Sequence, residues 1–149
     1  MATVAALGLD VGLKRIGVAG CDGLGLIATG LTTIERRSFK ADVLQLRYWI
    51  EARQAQRLVV GLPYTLSGEL GFQAKQVQKF ARRLSEALQL PVEYVDERLT
   101  SHAAKENLRA RRQSFRHNKG AIDREAATII LQQWLDQRER SPARKPQEL

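Results

Sequence analysis

Leu7-Gly8-Leu9-Asp10-Val11-Gly12-Leu13-Lys14-Arg15-Ile16-Gly17-Val18-Ala19 joins two apolar runs through one short polar turn. The first run begins near Val4 and ends in a single aspartate. A glycine and two cations follow, and the second run starts at Ile16. Nearly unbroken apolar runs are what a strand buried on both faces requires. A carboxylate at the end of such a strand is held by a rigid sheet yet projects into a crevice. Gly12 and Gly17 are expected to relieve the backbone at the turn and just beyond it. Two readings of Asp10 stand at this point: a turn former in an ordinary β-hairpin, or a site residue.

Outward from this hairpin the chain alternates. Asp22-Gly23-Leu24-Gly25 reads as a turn and Leu26 to Ile34 as a third strand. Ser38 suits an N-cap, and Phe39, Val43, Leu46 and Ile50 behind it fall on one stripe of an amphipathic helix, with Trp49 at its packing edge. Arg57 to Pro63 is a short apolar strand stopped by proline, followed by a polar loop from Tyr64 to Gly71. A helix from about Gln73 to Leu88 carries Val77, Phe80, Leu84 and Leu88 on one face; Pro91 ends it, and Val92 to Val95 makes another strand. A last helix spans Ile122 to Leu135. Three strands able to form an antiparallel meander, then strands separated by helices, predict an α/β domain: a mixed five-stranded sheet flanked by helices, with parallel pairing on one side.

The chain has 149 residues and a net charge of +8. That length suits one compact domain, taken as residues 1–137, with 138–149 expected to be a flexible basic tail. No apolar run approaches the roughly 18 residues of a membrane span, no secretory signal pattern is present, and the single cysteine, Cys21, suits a reducing cytoplasm. A cytoplasmic protein without membrane association is expected. Its positive charge favours nucleic acid as partner, with binding that weakens as salt rises. The Arg109 to Lys119 segment, including Arg111, Arg112 and Lys119, concentrates that charge and reads either as a solvated loop or as a nucleic-acid clamp.

Carboxylates occur where such a sheet would gather them. Asp10 ends the first strand, Asp96 and Glu97 follow the strand at Val92, and Asp123 lies in the first turn of the last helix, where the helix dipole alone would favour it. In open α/β sheets ligands collect beyond the carboxyl ends of the parallel strands. Carboxylates converging there repel one another until protons or a divalent cation relieve the repulsion. Hard oxygen ligands in an incomplete set suit Mg²⁺ or Mn²⁺, and two such ions about 3.5–4 Å apart are the usual arrangement for in-line phosphodiester cleavage.

These blocks also carry a resemblance. The opening stretch, Val59-Val60-Gly61-Leu62-Pro63, Val95-Asp96-Glu97-Arg98-Leu99-Thr100-Ser101, and Lys119-Gly120-Ala121-Ile122-Asp123 with Ala126-Ala127 and Ile130-Leu131-Gln132 resemble, in order, the blocks of the YqgF family, also called RuvX. The resemblance covers about Val4 to Asp136. It implies a ribonuclease-H-like fold and a metal-dependent nuclease, a hydrolase, acting on the 5′ end of precursor 16S rRNA in ribosome biogenesis. A role on branched DNA, as a Holliday junction resolvase, is the alternative within the family. Carried over residue by residue, the catalytic and metal-binding acids are Asp10, Glu97 and Asp123. Asp96, which precedes the ligand the resemblance names, stands second to Glu97, and its side chain points away from that of Glu97 if the strand continues that far.

Lys14 and Arg15 beside Asp10, together with Arg98, Thr100, Arg111, Arg112 and Lys119, are candidate phosphate contacts. Each also has a plainer reading: a hairpin tip for Lys14 and Arg15, a salt bridge to Glu97 for Arg98, and a helix cap for Thr100. Two other classes remain. An actin-like phosphotransferase needs two such domains, and no P-loop occurs. A non-catalytic RNA-binding assembly factor that associates with ribosomal particles would not need the three acids. Both a monomer and a homodimer fit the chain, with an exposed helix face or Trp134 as possible contacts.

Overall fold

The structure is a computed structural model that describes residues 5–63, 70–96 and 119–139, with only the backbone described at Lys119 and Glu139. Glu97, Arg98, Thr100, Arg111 and Arg112 lie outside the described residues.

The elements are β1 (Ala6–Val11), β2 (Arg15–Cys21), β3 (Ala28–Glu35), α1 (Phe39–Arg53), β4 (Arg57–Leu62), α2 (Phe72–Leu88), β5 (Val92–Asp96) and α3 (Lys119–Glu139). They form one five-stranded sheet in the order β3-β2-β1-β4-β5. The β1–β2 and β2–β3 pairs are antiparallel, and β1–β4 and β4–β5 are parallel. β1 is therefore the central strand and the one at which pairing changes sense. The carboxyl ends of β1, β4 and β5 lie along one edge of the sheet.

Alternation along the strands builds two cores. Leu7 and Leu9 of β1, Ile16 and Val18 of β2, and Leu58, Val60 and Leu62 of β4 pack under α1 and α2. Val43 and Leu46 of α1 and Val77, Phe80 and Leu84 of α2 meet them. On the other face Ala6, Ala19, Cys21, Val59 and Val95 pack under Ala127, Ile130, Leu131, Trp134 and Leu135 of α3. Ser38 caps α1 by accepting from the Ala41 N–H at 3.1 Å. Trp134 belongs to the core of this chain, only 4% exposed, so it is not a dimer contact. Its Nε1 donates to Glu93 at 3.0 Å, and Arg57 pairs with the same carboxylate. Burial works against ionisation of Glu93, but these two donors hold its carboxyl below the usual range.

α3 begins at Lys119, three residues before the sequence pattern suggests, and continues to Glu139. Asp123 consequently lies in its second turn, where an N-terminal helix dipole no longer accounts for the carboxylate. The start is fixed from outside the helix, where Thr33 Oγ1 of β3 donates to the Gly120 carbonyl at 2.5 Å. No helix among the described residues is long and apolar enough to cross a membrane.

Candidate active site at the carboxyl ends of the parallel strands

Asp10 is the fifth residue of β1 and pairs in register with Gly17 of β2. Residues directly opposite across an antiparallel pair project to the same face, so Asp10 shares its face with Gly17 and, by alternation, with Gly8 and Ala6. That is the face α3 covers. A Cβ on Gly17 would lie 1.9 Å from the Asp123 carbonyl oxygen and 2.4 Å from its carbonyl carbon. A Cβ on Gly8 would lie 2.6 Å from Leu131 Cβ. α3 thus rests on bare strand backbone, and it carries Asp123 directly over the residue paired with Asp10. Neither Gly12 nor Gly17 has a positive φ; Gly25, at 74°, is the one glycine of the described residues that does. The expectation that Gly17 relieves the backbone is corrected: what it supplies is room for a helix.

Arg15 Nε donates to Asp123 Oδ2 at 2.6 Å, joining the first residue of β2 to α3. Their side chains are 30% and 20% exposed, so the pair faces the solvent edge of the sheet while shielded from bulk water. Lys14 is exposed at the tip of the turn. Asp96, the last residue of β5, pairs with Leu62, whose side chain belongs to the α1–α2 core. Its neighbour Val95 packs under α3. Alternation therefore points the Asp96 side chain away from the face that holds Asp10 and Asp123, while its carbonyl accepts from Gln133 Nε2 at 3.3 Å. Lys119 enters the structure as the first residue of α3.

Two acidic candidates, Asp10 and Asp123, are brought to one face and one edge. Among the described residues no group of three His, Cys, Asp or Glu side chains gathers as a metal site. The carboxylates present are hard oxygen donors of the kind that Mg²⁺ and Mn²⁺ take, and two of them leave most coordination positions to a further ligand, water and phosphate.

A clamp absent from the sequence reading secures the turn. Arg36, just beyond β3, donates through Nη1 to the Gly12 carbonyl at 2.6 Å and through its backbone N–H to the Lys14 carbonyl at 2.9 Å. Its Nε lies 3.9 Å from Asp42 Oδ2, and its guanidinium stacks 4.1 Å from the Phe80 ring centroid. Asp42 is 2% exposed and also accepts from the Arg37 N–H at 3.1 Å. The only signal in the chain is a basic pair, Arg36-Arg37, with an acid one helical turn after the Ser38 cap. Arg36→Ala frees the Gly12 carbonyl and leaves the buried Asp42 carboxylate with the Arg37 N–H but without this guanidinium, so a cost of about 1–3 kcal/mol is expected in urea denaturation. Arg36→Lys should recover little of it, because an ammonium has no planar fork to span both partners. Full recovery by lysine would show that charge alone matters at this position.

The RuvX family model, described as a Holliday junction resolvase, matches residues 4–137. A Rippkaea orientalis protein named "Putative pre-16S rRNA nuclease" is 69% identical over 138 residues, spanning 93% of this chain and 99% of its own. A protein of the same name from Crocosphaera subtropica is 65% identical over 141 residues, with 95% and 99% spanned. Among solved structures, Thermus thermophilus RuvC in complex with a Holliday junction substrate matches with a TM-score of 0.57 at 14% identity, over 91% of this chain and 96% of that one. The yeast mitochondrial Holliday junction resolvase Ydc2 matches with a TM-score of 0.55 at 11% identity, over 90% of this chain and 78% of that one. At such identities the likeness is one of fold, and the mixed sheet with its helices is ribonuclease-H-like. With its four sequence blocks, its fold and relatives of nearly its own length, this chain belongs to the RuvX family.

Proposed function

We propose that the protein is a metal-dependent nuclease that processes the 5′ end of precursor 16S rRNA. The observation that carries the reading is the placement of Asp123 over Gly17, the register partner of Asp10, at the edge where the parallel strands end. The names of its close relatives supply the substrate class. In this reading Asp10, Glu97 and Asp123 hold Mg²⁺ or Mn²⁺. Asp96 faces the α1–α2 side of the sheet, and the family resemblance names Glu97 as the acid of this segment. A divalent ion held there supplies Lewis acidity, lowering the pKa of a water and offsetting charge on the leaving oxygen.

The chain's own groups bind and orient. Arg15 fixes the Asp123 carboxylate, and Lys14 at the exposed turn meets the phosphate of the strand being cut. Arg98, Thr100, Arg111, Arg112 and Lys119 extend the phosphate contacts along the substrate. Water adds to phosphorus and the bond to one bridging oxygen breaks, leaving a phosphate end and a hydroxyl end. Ribosomal particles are the natural setting for such a substrate, and the cytoplasm the natural compartment.

Resolution of branched DNA is the second reading, favoured by the description of the family model. One experiment separates them. Purified protein is incubated with precursor rRNA bearing its 5′ leader and with a four-way DNA junction, in Mn²⁺, in Mg²⁺ and in EDTA. Trimming of the leader that needs the metal is the expected result. Cleavage confined to the junction would transfer the site to DNA. RNA binding with no cleavage in either metal would leave a non-catalytic assembly factor.

A further inference from the structure

Behind the β1–β2 turn, on the face away from α3, a groove of about 270 Å³ runs from Gly12 and Leu13 along α2. Val11, Val77 and Phe80 are its apolar lining, the Phe80 ring lying under the Arg36 guanidinium. Arg36, Lys79 and Arg83 supply three cations, Gln73 and Gln76 supply two amides, and no carboxylate lines it among the described residues. Two of the cations are held in place by aromatic rings: Arg36 over Phe80 at 4.1 Å and Arg83 over Phe39 at 3.9 Å. Leu13 is 84% exposed at one end, and Phe72, immediately before Gln73, is 78% exposed at the start of α2.

This combination has a specific chemical complement. The apolar side chains take the face of a base, Lys79 and Arg83 take the phosphates on either side, and amides can pair with a base edge, while Arg36 stays committed to Gly12 and Asp42. The volume falls just under the range of about 300–1,000 Å³ that small-molecule sites occupy, enough for a nucleoside and far too small for a duplex. The groove starts two residues beyond Asp10, on the turn that also carries Lys14 and Arg15. We propose that it receives an unpaired nucleotide of the strand being cut, where that strand passes over the β1–β2 turn to the face opposite Asp10, so that the enzyme favours substrates that are single-stranded on that side. The proposal rests on the nuclease reading for its position in the substrate, but not for the binding itself.

Binding is therefore measured without catalysis, by fluorescence anisotropy in EDTA, with a labelled single-stranded oligoribonucleotide and a blunt duplex of the same sequence. Lys79→Glu is expected to weaken single-strand binding about tenfold and to reduce the slope of log affinity against log salt by about 0.7 or more. Arg82→Glu on the same helix is the control: it makes the same change in net charge at an exposed position outside the groove. It should cost no more than about twofold, as a rim charge does. Gln76→Ala, which changes no charge, should weaken the single strand and leave the duplex unaffected. Equal losses from Lys79→Glu and Arg82→Glu would overturn the groove as a site, as would a duplex that loses as much as the single strand. Because no cleavage is read, failure of the metal-site assignment would leave this result standing, and the converse also holds.

Discussion

Asp10→Asn is expected to lower phosphodiester cleavage by about 10³-fold or more while the protein stays folded. The amide keeps the shape of the carboxylate and removes the charge that a divalent ion requires. Asp123→Asn should act similarly, with a modest further cost because Arg15 then faces an amide where it had a carboxylate at 2.6 Å. On the proposed reading the two acids serve one reaction, so the double variant should be scarcely worse than either single one. A second readout avoids activity altogether. A ligand that binds the native state raises the melting temperature, so Mn²⁺ should stabilise the wild type and have little effect on either variant. Circular dichroism confirms the fold in each case. Wild-type cleavage by Asp10→Asn would remove Asp10 from the site.

Gly17→Ala carries the largest expected effect on the fold. Its new Cβ would lie 1.9 Å from a backbone oxygen of α3, and no rotamer change relieves a clash between two backbones. Either β2 buckles or the start of α3 lifts away from the sheet. Overpacking of this kind costs about 1–3 kcal/mol, so a fall in melting temperature of roughly 2–12 °C is expected. Activity should fall further than stability does, because the displaced part of α3 is the part that carries Asp123. Gly30→Ala is the comparison. Its Cβ would lie 3.2 Å from Thr128 Oγ1, a side-chain atom that can move, and both effects should be small. Equal tolerance of the two substitutions would mean that α3 rests on the sheet less firmly than its contacts indicate.

The strands and helices were legible in the chain because their apolar patterns are strong. The stripe Phe39, Val43, Leu46 and Ile50 does pack against the sheet, and Leu62 is the last residue of β4 before the proline. Asp10 was legible as a strand-end carboxylate, and the four blocks made the family recognisable. The site's supports were not. Arg15 and Asp123 are 108 positions apart, and Arg36 reaches Gly12 across 24. No local pattern encodes such pairs. The start of α3 was misplaced because Gly120 and the basic residues before it give no apolar periodicity, whereas a tertiary hydrogen bond from Thr33 anchors that turn. A glycine in a strand signals backbone freedom locally, whereas the use of Gly17 is the absence of a side chain beneath a helix.

The dependence of the acidic pair on α3 also has a temporal meaning. All five strands precede α3 in the chain, so a nascent polypeptide emerging from the ribosome can pair its sheet before this helix has been made. Until α3 docks on Gly8 and Gly17, Asp10 has no Asp123 opposite it and Arg15 lacks its Asp123 partner. If Asp10 and Asp123 serve one site as proposed, that site is assembled only once α3 has been synthesised and docked on the sheet.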